Sequence, residues 1–476
     1  MIQFLKTTSF KRAEKMHSLS IFGTSSDAGK STLSFALTYL LHQAGIKVAP
    51  FKAQNVSNNS HVSDDGGEIA IPQYFAAESI GLESSVLFNP ILLKSGEGSK
   101  AHVIVNGQSV KDEDVWDYFK NIDTLKLHVK KAFKTLQKEY ECVVAEGAGS
   151  PVELNLMDKD LSNIYIAKKF KTKIILVADI ERGGVFASIY GVYKLLPKKL
   201  RKNIIGVIIN KFQGDRSFFD TGVQIIEERF GLKVLGVVPY KPFNLGFEDS
   251  ASLLNYTQKT DKAKIIVGVI KFPHLSNFTD FEPLVADDEV HLLFISNPTE
   301  LLLCDIIVLP GSKRVVDDLA WLRARGFEAF LTQTDTMIIA ICGGYEMLFE
   351  SILDPLHVES KHSVVQGIGK LKGDVIFQKE KIVKKGCYNL FGTMTHGYEI
   401  HNATAKKRAK KRKNIYGTFI HGLFDNDALR YKLFSQVSPH YQGYNFQMYK
   451  STKIEEFAQH VKSHIDLDYL LKSMNI

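Results

Sequence analysis

The decapeptide Gly23-Thr24-Ser25-Ser26-Asp27-Ala28-Gly29-Lys30-Ser31-Thr32 stands between an apolar run, Leu19–Phe22, and a helix-like stretch, Leu33–Leu41. Strand, glycine-rich turn and helix in that order aim consecutive backbone N–H groups and the positive helix end at phosphate oxygens. Lys30 is then expected to reach the terminal phosphates of ATP and Ser31 to ligate Mg²⁺. Gly23, Thr24, Gly29, Lys30, Ser31 and Thr32 are the candidate ATP contacts. A serine- and glycine-rich helix entrance without a nucleotide is the alternative reading. The motif by itself does not separate a kinase from a ligase or a partition ATPase.

A second cluster lies far downstream. Ile341-Cys342-Gly343-Gly344-Tyr345 puts a cysteine after the apolar run Met337–Ile341 and at the start of a helix, which is the arrangement of a nucleophile elbow. The helix N-terminus and small neighbours predict an exposed, acidified thiol. The N–H of Gly343 is expected to help hold an oxyanion once Cys342 attacks a carbonyl. A second donor is expected from Leu309-Pro310-Gly311-Ser312, which makes Gly311 the other oxyanion candidate. His421, inside Gly417–Phe424, is the expected general base. Taken singly, Cys342 also reads as a core thiol and His421 as a structural histidine; with Pro310-Gly311-Ser312 they read as a catalytic pair.

Elements that position these residues follow from hydrophobic periodicity. Short β-rich runs at Leu19–Phe22, Lys47–Phe51, Glu141–Ala145, Lys173–Ala178, Asn203–Ile209 and Lys233–Val238 alternate with helical stretches. The alternation predicts a doubly wound parallel α/β sheet, whose ligands gather at the carboxyl ends of the strands. Those ends are occupied by Gly23, Lys52, Glu146, Asp179 and Asn210. The pattern lapses through a polar stretch after Tyr240. A second α/β series then runs through Lys264–Ile270, Val290–Ile295, Asp305–Leu309 and Met337–Ile341, with a helix over Val315–Arg325. Strands Gly397–His401 and Tyr416–Ile420 flank a basic run, and a helical tail covers about Ile454 to Met474.

With 476 residues and 45% hydrophobic content the chain is large enough for two or three cores. No apolar run approaches the ~20 residues of a bilayer span, and the first residues lack a secretory apolar core, so a cytoplasmic protein without membrane contact is expected. Cys142, Cys304, Cys342 and Cys387 are scattered with no Cys-x-x-Cys pair, which argues against structural zinc and a disulfide framework. Of the formal charge of +8, seven charges sit in Lys406, Lys407, Arg408, Lys410, Lys411, Arg412 and Lys413. That run reads as a solvated hairpin loop and not as a nucleic-acid surface. Residues 1–17 read as a basic arm, and Met16 is a second candidate start.

The phosphate loop has five residues between Gly23 and Gly29 and resembles the Gly-Thr-x-x-x-x-Gly-Lys-Ser/Thr variant of dethiobiotin synthetase-like ligases. Ile341–Tyr345, Gly311-Ser312 and His421 resemble the class I, triad-type glutamine amidotransferase domain. Further segments in register resemble the cobyric acid synthase family: Pro50–Asn55, Asp65–Glu68, Asn89–Lys94, Glu146–Pro151, Asp179–Phe186, Asn210–Asp215, Ser276–Phe281 and Gly397–His401. The match runs from about residue 18 to 435. It departs at Ile71-Pro72, where a Gly-Arg or similar pair is usual, and in the basic run. It also departs from most of the amidotransferase superfamily at Leu423, where His-x-Glu would place an acid; that absence is typical of the cobyrinate-amidating branch, so His421 must be oriented by something else.

The resemblance implies ATP- and glutamine-dependent amidation of the b, d, e and g carboxylates of adenosylcobyrinic acid a,c-diamide, a corrinoid. It implies an arm (1–17), an ATP-binding amidoligase domain (18–240), a linker (241–262), a glutamine amidotransferase domain (263–445) and a helical tail (446–476). Ser31 and Glu146 would hold Mg²⁺, with Asp65 a weaker metal candidate. Lys52 and Asp179 would face the phosphoryl group or substrate carboxylate, Glu68 is a further weak candidate, and Asn210 would recognise adenine or cap its strand. Two other readings stay open: a cobyrinic acid a,c-diamide synthase, and a partition-type switch ATPase with a degenerate glutaminase domain. Oligomeric state is not specified.

Overall fold

The computed structural model describes residues 18–95, 100–114, 118, 120, 122–243, 245–246 and 264–475. The expected arm at 1–17, Met16, and most of the expected linker lie outside the described residues. The chain divides into two compact units, one of residues 1–53, 122–241 and 457–476, the other of residues 54–121 and 242–456.

The first unit is built on a six-stranded sheet in the order Val234–Pro239, Ile204–Phe212, Lys173–Asp179, Leu19–Gly23, Cys142–Glu146, Val48–Phe51. Every pairing is parallel. Strands buried on both faces need near-continuous apolar sequence, which is why each expected run reappears with its end shifted by a few residues at most. Helix Lys30–Gln43 follows the first strand, and helix Ile122–Glu139 buries Ile122, Leu125, Val129, Ala132, Phe133 and Leu136 along one face. The expected tail resolves into helices Phe446–Lys462 and Leu467–Ser473. Its last part belongs to this unit: Phe457 stacks on Phe35 with ring centroids 5.6 Å apart, and Asp466 N–H donates to Leu235 O at 2.6 Å.

The second unit has its own six-stranded sheet, ordered Val290–Ile295, Ile265–Ile270, Ile306–Leu309, Met337–Ile341, Ile415–Thr418, Ala409–Arg412. The first five strands are parallel and the last is antiparallel. Part of the basic run is therefore an edge strand and not a loop. Lys410 and Arg412 donate to the carbonyls of Lys372 and Lys370, each at 2.6 Å, and lysines on an edge discourage pairing with another chain. A long antiparallel hairpin, Leu371–Leu390 with Thr393–Ala405, extends well beyond the expected short strand Gly397–His401. Residues 54–121 supply a four-stranded sheet, a small two-stranded ribbon of Ser60–Val62 with Glu68–Ala70, and helix Ile71–Ser79. Pro72 falls in the first turn of that helix, where a missing N–H costs nothing. No helix among the described residues is long and apolar enough to cross a membrane.

Arg430 is buried in this unit. Its side chain is 1% exposed and donates to Phe424 O at 2.5 Å, Tyr444 O at 2.6 Å and the Asp427 carboxylate at 3.0 Å. Asp287 lies 3.8 Å away. Removing one member of such a buried network leaves the others desolvated and unmatched. Arg430→Met is expected to destabilise this unit by about 3–5 kcal/mol, read as a lower urea midpoint.

Candidate active sites

In the first unit the strand Leu19–Gly23 ends at the glycine and the loop enters helix Lys30–Gln43 through Gly29, whose φ of 89° is left-handed. A side chain at Gly29 would also place its Cβ 2.1 Å from Asn210 Nδ2. No side chain caps the helix, so its first N–H groups face the loop as the phosphate reading requires. Thr24 N–H is taken by Val177 O at 2.9 Å, and the Thr32 hydroxyl donates to Gly29 O at 3.0 Å. Lys30 Nζ donates to Ser25 O at 3.2 Å, across the mouth of the loop. The Ser31 hydroxyl donates to Glu146 Oε1 at 2.7 Å, and Lys52 Nζ meets the same oxygen at 2.9 Å. Glu146 and Lys52 are buried.

Ser31 in the first turn of the helix, and Glu146 and Lys52 at two strand ends, are thus brought together. A hydroxyl and a carboxylate side by side are hard oxygen donors that suit Mg²⁺, which keeps waters and phosphate oxygens as its other ligands. Among the described residues no group of three or more His, Cys, Asp or Glu forms a metal cluster. Asn210 Nδ2 donates to Ala28 O at 2.9 Å, so its amide braces the loop. Asp179 pairs with Lys211 at 3.0 Å and accepts the Glu181 N–H.

Asp65 and Glu68 belong to the second unit. Asp65 is exposed and braces the start of the turn Val86–Phe88, which Ser85 caps, by accepting from the Ser85 hydroxyl at 2.7 Å and Val86 N–H at 3.1 Å. Glu68 is buried between Lys94 and Lys381, the latter at 2.8 Å. Burial alone would raise its carboxyl pKa, but the two ammonium groups pull it far below the usual range.

The second centre lies at the carboxyl ends of adjacent parallel strands. Ile341 pairs with Thr418, and Cys342 N–H donates to Thr418 O at 2.8 Å. Cys342 then turns into helix Gly343–Met347 with φ 49° and ψ −111°, a strained backbone of the kind found at nucleophile elbows. The glycines that follow are required by contact: a Cβ at Gly344 would fall 2.2 Å from Leu309 O, and one at Gly343 would fall 2.8 Å from Ser312 N. Gly311 approaches His421 closely, its would-be Cβ standing 3.2 Å from Cε1. The elbow, the 309–312 loop and His421 therefore share one neighbourhood.

The thiol itself differs from expectation. Cys342 is only 7% exposed. Burial pushes its pKa well above the ordinary thiol value, and the nearby carboxyl of Glu346 adds to the rise; the Gly343 N–H pulls the other way without prevailing. Desolvation outweighs one helix end.

Sequence inspection missed the residue that orients His421. His421 Nδ1 lies 2.7 Å from Asp280 Oδ2, and the other oxygen of Asp280 accepts Gly422 N–H at 2.8 Å. Asp280 is buried in the turn Phe278–Phe281, while Leu423 packs in the core. The Tyr398 ring stacks on the imidazole with centroids 5.2 Å apart. The signal was present in Ser276–Phe281, where a carboxylate sits among phenylalanines, but the acid lies 141 residues before its histidine. A cavity of about 50 Å³ borders this pair, lined by Asp280, Thr279, Tyr398, His61, Glu282 and Asp425 among others. It has room for a few waters and none for a corrinoid. Burial lowers His61 to about 3 and raises Glu282 to about 8 and Asp425 to about 7.

Residues 266–429 match the family model of the CobB/CobQ-like glutamine amidotransferase domain, and residues 19–244 match that of the CobQ/CobB/MinD/ParA nucleotide binding domain. A cobyric acid synthase of Acinetobacter baylyi is 53% identical over 96% of this chain and 99% of its own length. Those of Clostridium perfringens and Citrobacter koseri are 37% and 36% identical, over 96% and 95% of this chain and 99% and 97% of their own lengths. A carboxylate that fixes an imidazole tautomer is worth several orders of magnitude when removed. Asp280→Asn is expected to lower glutamate release from glutamine by about 10²–10⁴-fold while leaving the thermal unfolding profile nearly unchanged.

Proposed function

This chain belongs to the cobyric acid synthase family, a family of glutamine-dependent amidoligases of cobalamin biosynthesis, and we propose from that premise that it amidates the b, d, e and g carboxylates of adenosylcobyrinic acid a,c-diamide to give adenosylcobyric acid. The organisation proposed is an ATP-binding amidoligase domain over 18–240, a linker over 241–262, an amidotransferase domain over 263–445 and a helical tail over 446–476, acting in the cytoplasm.

The observation that carries the glutaminase half is the His421–Asp280 pair, 2.7 Å apart beside the Cys342 elbow. Asp280 keeps the proton of His421 on Nδ1, so Nε2 is the atom that takes the thiol proton. The Cys342 sulfur attacks the glutamine carboxamide carbon, and the N–H groups of Gly343 and Gly311 receive the developing oxyanion. His421 returns the proton to the departing nitrogen, which leaves as neutral ammonia. Water then hydrolyses the thioester to glutamate and restores the thiol.

The other half solves the problem of a poor leaving group. A carboxylate oxygen attacks the γ-phosphorus of ATP, the bond from that phosphorus to the β-bridging oxygen breaks, and ADP departs. Ammonia attacks the resulting acyl phosphate and inorganic phosphate leaves with the former carboxylate oxygen. Lys30 follows the charge on the β- and γ-phosphates, and Lys52 neutralises the phosphoryl group or the attacking carboxylate. Ser31 and Glu146 would hold Mg²⁺, which supplies charge neutralisation of the phosphate oxygens when bound.

Incubation with adenosylcobyrinic acid a,c-diamide, ATP, Mg²⁺ and glutamine tests the reading, since each amide formed lowers the corrinoid mass by a single unit. An unaltered corrinoid overturns it. Cys342→Ser is expected to cut glutamine-driven amidation by at least about 10³-fold yet leave ammonium-driven amidation in place. Lys30→Ala is expected to abolish product formation with either nitrogen source, measured by the same mass shift.

A further inference from the structure

The Nε2 atom of His421 is already engaged. Asp280, an acceptor when ionised, faces Nδ1 at 2.7 Å, so Nδ1 carries the hydrogen and Nε2 of the neutral ring presents a lone pair. That lone pair faces the side-chain amide of Asn277, with Nδ2 at 3.2 Å. The Cys342 thiol meanwhile lies 3.8 Å from the carbonyl of Ile400, to which it donates. Base and nucleophile are each occupied by another partner.

Asn277 is itself held. It is 5% exposed and sits in a left-handed conformation, φ 56°, immediately before the turn that carries Asp280. Its N–H donates to Asn59 Oδ1 at 2.9 Å, and the N–H of Phe278 reaches the same oxygen at 3.4 Å. Asn59 is 3% exposed, and its own N–H donates to the Ser57 hydroxyl at 3.0 Å. It lies within the 19–244 stretch matched by the nucleotide-binding model, yet packs in the same unit as His421.

We propose that Asn277 is a resting-state cap on the general base: its amide occupies His421 Nε2 until it is withdrawn, and Asn59 holds it there. This deepens the glutaminase reading and rests on it. With the cap in place the thiol proton has only the Ile400 carbonyl as acceptor and no base to take it, so glutamine turnover is slow. When the amide swings away, the proton passes from Cys342 Sγ to Nε2 and leaves a thiolate–imidazolium pair. Asn59 holds the cap through two hydrogen bonds from the backbone N–H groups of Asn277 and Phe278.

The test is the rate at which iodoacetamide alkylates Cys342 in the full-length protein without substrates, followed by peptide mass spectrometry. Alkylation forms a carbon–sulfur bond and releases iodide, and it reports thiolate. The exposed Cys387 serves as the internal reference. Asn277→Gly removes the amide while tolerating the positive φ, and is expected to speed alkylation of Cys342 by about three- to tenfold, the range of one neutral hydrogen bond. Basal glutamate release should rise by a similar factor, and more glutamate should appear per amide formed in the complete assay. Asn59→Ala is expected to act in the same direction and less strongly.

An unchanged or slower alkylation rate in Asn277→Gly overturns the cap. An unchanged rate in Asn59→Ala overturns the holding role of Asn59. Failure of the parent protein to release glutamate under any acceptor would instead sink the glutaminase reading, and the alkylation rates would still decide whether Nε2 is capped.

Discussion

Parallel pairing of buried strands is the constraint on which both candidate sites depend. A strand covered on both faces has to be apolar along its length, so the first residues free to be polar are those just past its carboxyl end. In the first unit those positions hold Lys52, Glu146 and the phosphate loop, and in the second Gly311, Cys342 and His421. Hydrogen-bonded neighbours such as Ile341 and Thr418 are then only a few ångströms apart. Residues distant in sequence are brought into one site by the ladder that also supplies much of the core.

Burial has opposite consequences in the two places. Around the phosphate loop, Lys52 and Glu146 are buried as an ion pair, which compensates the loss of water for both. Around Cys342 the Gly343 N–H and Lys381 favour a thiolate but do not outweigh burial, which holds the thiol well above its ordinary pKa. The imidazole of His421, by contrast, is fixed in place by Asp280 and Tyr398.

Residues 54–121 complicate the linear picture of a nucleotide domain followed by an amidotransferase domain. They lie inside the stretch matched by the nucleotide-binding model but group with the second unit. Lys94, Glu68, Ser60 and Lys381 form one buried network there, in which Lys94 Nζ donates to the Ser60 hydroxyl at 2.7 Å and Lys381 pairs with Glu68 at 2.8 Å. Lys94 is depressed to about 8 by its burial, offset in part by Glu68. Paired charges thus fix part of this segment.

The sequence by itself determined the α/β class, the parallel strands and the phosphate loop, and offered Cys342 and His421 as candidates, because periodicity and turn chemistry are local and act within a few residues. Ser276–Phe281 was visible as a family segment without a role attached. Tertiary structure alone decided which acid serves His421, since Asp280 and His421 meet only after the strands between them have paired. It alone buried the thiol, whose helix N-terminus read as an acidifying site, because solvent exclusion is summed over neighbours from many segments. It likewise turned part of the basic run into an edge strand and resolved 54–121 into a sheet of its own, outcomes that depend on which surfaces were left to cover.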